Sequence, residues 1–257
     1  MACAYNDMEL MVCVASRLLS DHSMVVVGTG GPCAATMLAQ RSHAPNLVAM
    51  FEAGGVGAQL EALPISVGDS RTWYRGITSG SMADTMNALA RGQVDYCFLG
   101  GAQIDPFGNL NSTFVGGSYD KPKVRFPGSG GANDLASFAW RTMVITPQDP
   151  RRFVEEVEFL TSPGFLTGPG AREAAGLPPD SGPYKVITQL AVLGYCPETC
   201  RMRIESVHPG VTLQQVQDAS GFELLASPAL AKTQAPTEQE LELLRNEVDP
   251  EGLFIRR

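Results

Sequence analysis

The chain has 257 residues, 44% hydrophobic and 18% charged, which suits one large α/β domain or two small ones with a sizeable core. Its formal net charge of −8 argues against nucleic acid or an anionic membrane as the main partner, because both are polyanions. No stretch approaches the ~18 uninterrupted apolar residues of a membrane span, and residues 1–7 lack the basic and apolar regions of a signal peptide, so a cytoplasmic protein is expected.

Residues 7–19 carry apolar side chains at helical spacing, with Asn6 or Asp7 available as N-cap. Residues 23–27 form a short, wholly apolar strand of the kind covered on both faces in a parallel sheet. Gly28-Thr-Gly-Gly-Pro32 turns the chain into a helix reaching about residue 42, Pro32 suiting its first turn, and residues 47–51 are the next strand. This is a βαβ unit, whose ligand-side loops leave the strand C-termini.

The pattern then loosens. Residues 81–91 predict a helix with Met82, Met86, Leu89 and Ala90 apolar, closed by Gly92, and residues 96–99 predict a strand. Residues 142–146 form another buried strand, stopped by Pro147. The Gly- and Pro-rich stretch 162–183 predicts a long surface loop, and residues 186–193 and 202–207 alternate like antiparallel strands. An acidic helix over 237–246, with Thr237 and Glu240 as a capping box, ends the pattern. No composition break marks a boundary, so 1–257 is taken as a single domain.

Six cysteines and three histidines are scattered, and Cys196 and Cys200 make a C-x3-C pair with no second pair. A zinc site needs about four convergent ligands, so no metal is expected and the cysteines are taken as free thiols acting as small hydrophobes.

Glu52 is the most informative residue. It ends an apolar strand and is followed at once by Ala53-Gly-Gly-Val-Gly57. A buried charge costs several kcal/mol unless compensated, and glycines there let another backbone or a ligand approach. A strand, a glycine turn, a helix, a strand and an acid also spell a dinucleotide-binding fingerprint. The third glycine position is Cys33, however, Pro32 intrudes, and ribose binding leaves the glycines after Glu52 without a purpose.

Four segments in order resemble the β subunit of class I CoA-transferases, most closely the glutaconate type. They are Val27-Gly-Thr-Gly-Gly-Pro32, Phe51-Glu-Ala-Gly-Gly-Val-Gly57, Gly100-Gly-Ala-Gln-Ile-Asp-Pro-Phe-Gly-Asn109 and Pro127-Gly-Ser-Gly-Gly-Ala-Asn-Asp134. Later stretches, Thr161-Ser-Pro-Gly164, Gly168-Pro-Gly-Ala-Arg-Glu173 and Asp249-Pro250, match in character. The resemblance implies the class I CoA-transferase fold, an open, mostly parallel α/β sheet with flanking helices. It further implies coenzyme A as cosubstrate with no permanent cofactor, an obligatory α subunit, and higher assembly of αβ pairs.

It also places the covalent nucleophile on Glu52 and lines the substrate, CoA or oxyanion site with Gly28, Gly30, Gly31, Gly54, Gly55, Gln103, Gly128, Gly130, Gly131 and Asn133. Many relatives read Ser-Glu-Asn-Gly where this chain has Phe51-Glu52-Ala53-Gly54. Retention of the glutamate favours transfer between carboxylic acids. An acyl-CoA hydrolase on the same scaffold and a non-catalytic subunit are the competing readings.

Local roles compete at several positions. Asp105 before Pro106 is a turn former as readily as a positioning group for nucleophile or CoA, a role Gln103 shares. Asn133 and Asp134 suit a cap for a helix starting near Leu135. Arg71, Arg75, Lys121, Lys123 and Arg125 are available to phosphates or carboxylates, but none is assigned a role, because exposed charges are mostly just solvated.

Overall fold

The computed structural model describes residues 4–255 and divides them into two compact units, residues up to Phe98 with those from Gln234 onward, and residues Leu99–Thr233. Cys3 lies outside the described residues.

The first unit opens with α1 (Asp7–Arg17), capped by Asn6 in a reciprocal box with Glu9. β1 (Met24–Val27) leads into α2 (Gly31–Arg41) and back into β2 (Val48–Phe51). β3 (Gly55–Val56), β4 (Thr78–Ser79), α3 (Met82–Ala90) and β5 (Tyr96–Leu99) follow. Strand order here is β5-β1-β2-β3-β4, with β1 parallel to β2 and β5 and the β2–β3–β4 edge antiparallel. β1, β2 and β5 are almost wholly buried, as unbroken apolar runs require. On α3 the buried face is Thr85, Ala88 and Leu89, whereas Met82 is exposed.

The second unit holds two small antiparallel pairs, β6 (Gln103–Ile104) with β7 (Leu110–Asn111) and β8 (Phe114–Gly117) with β9 (Pro122–Arg125). Then come α4 (Ala132–Phe138), β10 (Arg141–Ile145), α5 (Ala171–Ala174), β11 (Gly182–Ile187), β12 (Ala191–Tyr195), β13 (Met202–Val207), α6 (Leu213–Asp218) and β14 (Leu225–Lys232). β10–β11 and β13–β14 are parallel, and β11–β12–β13 is an antiparallel meander.

The stretch expected to alternate over 186–193 is two strands and a turn. The Thr188 hydroxyl accepts the N–H groups of Leu190 and Ala191 and reverses the chain there. The stretch 162–183 is not a plain surface loop. Arg172 is 2% exposed and donates to the carbonyls of Gly164, Ala136 and Ser137 and to the Ser181 hydroxyl, pinning the loop to α4. α4 starts at Ala132 behind Gly131, with no side-chain cap, so Asn133 and Asp134 lie inside its first turn.

The chain then re-enters the first unit as α7 (Glu238–Leu243), with the expected Thr237–Glu240 box, and continues through a π-helical turn to Val248. This segment clamps α1. Arg17 donates to both Glu240 oxygens at 2.7 and 2.6 Å, and Arg245 to both of Glu9 at 2.6 and 2.9 Å. Glu9 is 2% exposed, so it needs such a partner. No helix among the described residues is long and apolar enough to cross a membrane.

Candidate active site

Glu52 follows the last residue of β2 and is half-buried. The Gly54 N–H donates to the Phe51 carbonyl at 2.9 Å, closing a β-turn with Glu52 and Ala53 at its centre. Gly54 adopts a φ of 106°, where glycine is favoured. A Cβ on Gly54 would overlap the Gly80 carbonyl oxygen, and one on Gly55 the Thr72 carbonyl oxygen. The glycines after Glu52 thus let other backbone close against its turn. The Phe51 carbonyl also accepts the Thr85 hydroxyl at 3.1 Å, which ties α3 to the strand end.

β1 and β2 are in register with Val27 opposite Phe51. Gly28 and Glu52 therefore leave the sheet on adjacent strands, about 5 Å apart at their starting points. Nothing lies within 4 Å of where a Gly28 Cβ would stand. Gly30, at φ 75°, precedes α2, whose first turn has no side-chain cap. The positive end of α2, opened by Gly31, stands at the strand edge from which Glu52 emerges. A Cβ on Gly30 would overlap the Phe254 ring. The Asp249 carboxylate holds that segment by accepting the N–H groups of Leu253, Phe254 and Ile255.

The remaining candidates belong to the second unit, where one hydrogen-bond network joins most of them. Gln103 is 4% exposed, and its carbonyl accepts Asn111 Nδ2 at 2.8 Å and the Glu158 N–H at 3.0 Å. Its Nε2 donates to Glu158 at 3.1 Å. The Asn111 carbonyl accepts the Thr113 N–H, and the Thr113 hydroxyl bonds that of Thr161 at 2.7 Å. Asn133 Nδ2 donates to the Thr161 carbonyl at 3.1 Å. The Gly128 N–H donates to the Ser112 carbonyl, and the Ser112 hydroxyl returns a bond to the Gly128 carbonyl. Gly128 and Gly130 have φ of 93° and 50°, and Gly131 precedes α4. Asn133 therefore braces the glycine segment against residues 111–113 and 161.

Asp105 is a turn former. Its carboxylate, 5% exposed, accepts the N–H groups of Phe107 and Asn109 at 2.9 and 3.0 Å and Asn109 Nδ2 at 2.7 Å. Burial nonetheless pushes its pKa up to about 6 against these bonds, with a further contribution from Glu156.

Of the five cations, Arg71 is paired with Asp69 at 2.8 Å and Arg125 lies over the Tyr119 ring at 4.6 Å. Arg75 lies over Tyr74, and Lys121 and Lys123 are exposed. Among the described residues no group of three or more His, Cys, Asp and Glu is placed to hold a metal. A cleft of about 620 Å³ borders Arg41, Leu60 and Arg75, and another of about 690 Å³ borders Asp105, Phe107 and Glu158. Glu52 lines neither.

Sequence reasoning missed Thr85, Asn111, Thr161 and Arg172. Thr85 left one signal, a lone hydroxyl beside Ala88 and Leu89 on the buried face of α3.

Residues 9–219 match the family model of coenzyme A transferases. The chain is 38% identical over 243 residues to the B-type subunit of 3-oxoadipate CoA-transferase from Pseudomonas knackmussii, spanning 94% of this chain and 93% of that one. It is 35% identical over 263 residues to the B-type subunit of glutaconate CoA-transferase from Acidaminococcus fermentans, spanning 98% and 96%. The crystal structure of glutaconate coenzyme A-transferase from Acidaminococcus fermentans matches with a TM-score of 0.93 at 33% identity, covering 98% of this chain and 97% of that one. The expected open α/β architecture holds, and the chain belongs to the coenzyme A transferase family.

Proposed function

We propose that this chain is the nucleophile-bearing β-type subunit of a heteromeric, cytoplasmic CoA-transferase, the whole chain serving as one functional domain beside an α subunit. It moves CoA between an acyl-CoA and a carboxylic acid, with a dicarboxylate such as glutaconate as the acyl class. The observation that carries this reading is Glu52 at the centre of a fixed turn, beside Gly28 and the uncapped start of α2.

Glu52 attacks the donor thioester carbonyl, giving a mixed anhydride and CoA thiolate. The thiolate attacks the glutamyl carbonyl, forming a glutamyl-CoA thioester and releasing the donor acid as carboxylate. The acceptor carboxylate then attacks that thioester, and the expelled CoA thiolate takes the new acyl group, which restores Glu52. Each step is nucleophilic catalysis through an intermediate that stays activated.

One oxyanion donor is typically worth about 3–4 kcal/mol. The amides of Gly54 and Gly128 are committed within the chain, so this role falls to the first turn of α2 at Gly30 and Gly31. Gly28 gives substrate room, and Gly55 and Gly57 let the β3–β4 edge close behind Glu52. Within the second unit, Gln103, Gly130, Gly131 and Asn133 are assigned to substrate and CoA.

The αβ complex, incubated with an acyl-CoA and no acceptor, should yield the Glu52 peptide carrying CoA joined with loss of water. Borohydride should then inactivate the complex by reducing that thioester. Full activity of Glu52→Ala without any adduct would sink the nucleophile assignment, and steady CoA release without acceptor would point to a hydrolase.

A further inference from the structure

The transferase reading makes no use of Cys196 and Cys200. We propose that they form a reversible dithiol–disulfide site in the β12–β13 hairpin, closed by exchange with a small-molecule disulfide such as oxidised glutathione. This goes beyond the transferase chemistry and does not depend on it.

Three other cysteines, Cys13, Cys33 and Cys97, are buried, whereas Cys196 and Cys200 are part-exposed. Burial pushes the Cys13 and Cys33 thiols up to about 12, which leaves them unreactive. In the hairpin loop the Cys196 N–H donates to the Arg201 carbonyl, and the Cys200 N–H returns to the Cys196 carbonyl, both at 2.8 Å. A bond from residue i+4 back to residue i is one helical turn, which sets the two Cα atoms about 6 Å apart. A disulfide spans roughly 4.4–6.8 Å between Cα atoms.

Cys200 has a φ of 56°, uncommon for a residue with a Cβ, so the loop holds it in a strained conformation. Burial, then the charges of Glu173 and Cys196, push the Cys200 thiol up. The Cys196 Sγ donates to Glu198 Oε2 at 2.9 Å, an acceptor for its proton, and with the Cys200 thiol held up Cys196 is assigned as the attacking thiol.

The exchange balances in two steps. Cys196 loses its proton through Glu198 to solvent, and its sulfur attacks one sulfur of glutathione disulfide, expelling one glutathione thiolate. Cys200 then loses its proton and attacks the Cys196 sulfur, forming the internal S–S bond and expelling the second thiolate. The protein dithiol is oxidised by two electrons and glutathione disulfide is reduced.

The hairpin is bonded to the Asp105 turn. The Met202 N–H donates to the Pro106 carbonyl at 2.7 Å, Arg201 lies over the Phe107 ring, and a Cβ on Gly108 would overlap the Tyr195 hydroxyl. Closing the disulfide should therefore stiffen residues 105–109.

The full chain is equilibrated across a series of reduced-to-oxidised glutathione ratios, alkylated, and digested with trypsin. Residues 186–201 form one peptide holding both cysteines. That peptide should lose two hydrogens and its alkylation as the ratio becomes oxidising, reversibly on adding reductant. Cys200→Ser should trap a stable glutathione adduct on Cys196. Amide exchange at Phe107 and Asn109 should slow several-fold in the closed form. Two alkylated thiols at the most oxidising ratio, or a lasting glutathione adduct in the unmodified chain, overturns the site. Unchanged exchange at 107–109 overturns its link to the turn.

Discussion

Glu52 and Asp105 both close short strands, yet the chain treats them in opposite ways. After Asp105 the chain doubles back within four residues, and three donors from Phe107 and Asn109 converge on the carboxylate. After Glu52 the Gly54 N–H turns to the Phe51 carbonyl and the Gly57 N–H to the Ala49 carbonyl. Asp105 is buried and Glu52 is half-buried. The strand end itself is neutral. The backbone donors of the residues that follow Asp105 make that acid a structural knot.

The contrast can be broken most sharply at Glu52. Glu52→Gln in the αβ complex should lower kcat/KM at least about 10³-fold, while thermal unfolding shows a Tm within a few degrees of the parent. If Tm collapses instead, Glu52 is as structural as Asp105.

Gly55→Ala should cost about 3 kcal/mol in urea unfolding, since its Cβ meets the Thr72 carbonyl. Gly28→Ala, with open space around it, should cost less than about 1 kcal/mol.

Asp105 gives a pH signature. Its folded pKa of about 6 lies above the ordinary value of 3.8, so between these the folded state holds more protons. The associated stability is fully present below about pH 4 and is lost as pH rises through about 6, a change of roughly 3 kcal/mol. Asp105→Asn should flatten the Tm profile between pH 4 and 7, and an unchanged slope would show that Asp105 is not its source.

A modest effect is expected at Gln103. Gln103→Ala should cost about 1–2 kcal/mol by leaving bonds to Asn111 and Glu158 unmade. Because Gln103 is assigned to substrate and CoA, the change should also lower kcat/KM by up to about tenfold; an unchanged kcat/KM would confine Gln103 to the hydrogen-bond network.

What was legible follows from how local each cause is. β1, β2 and β5 appeared within a residue of their bounds because they are unbroken apolar runs between turn residues. The Thr237–Glu240 box was legible because its partners lie three residues apart. At α1 the sequence offered Asn6 or Asp7 as the cap, and the structure adds Glu9 as the partner of Asn6. β3, β4, β6 and β7 are two residues long, too short for any alternation, and β14 is mostly exposed. At the site, the position of Glu52 could be read locally. The reasons for Gly54 and Gly55 could not, because Gly80 and Thr72 lie far along the chain. Arg172 was invisible for the same reason, since its acceptors include carbonyls on α4.

The clamp between α1 and α7 sets an order on biosynthesis. Residues 99–233 are contiguous and emerge from the ribosome before the first unit has all of its parts. Until Glu240 and Arg245 are translated, α1 lacks the guanidinium that neutralises Glu9 and the carboxylate that holds Arg17. The nascent first unit therefore waits through most of translation with both ion pairs unmade, a condition under which chaperone capture or early aggregation competes with folding.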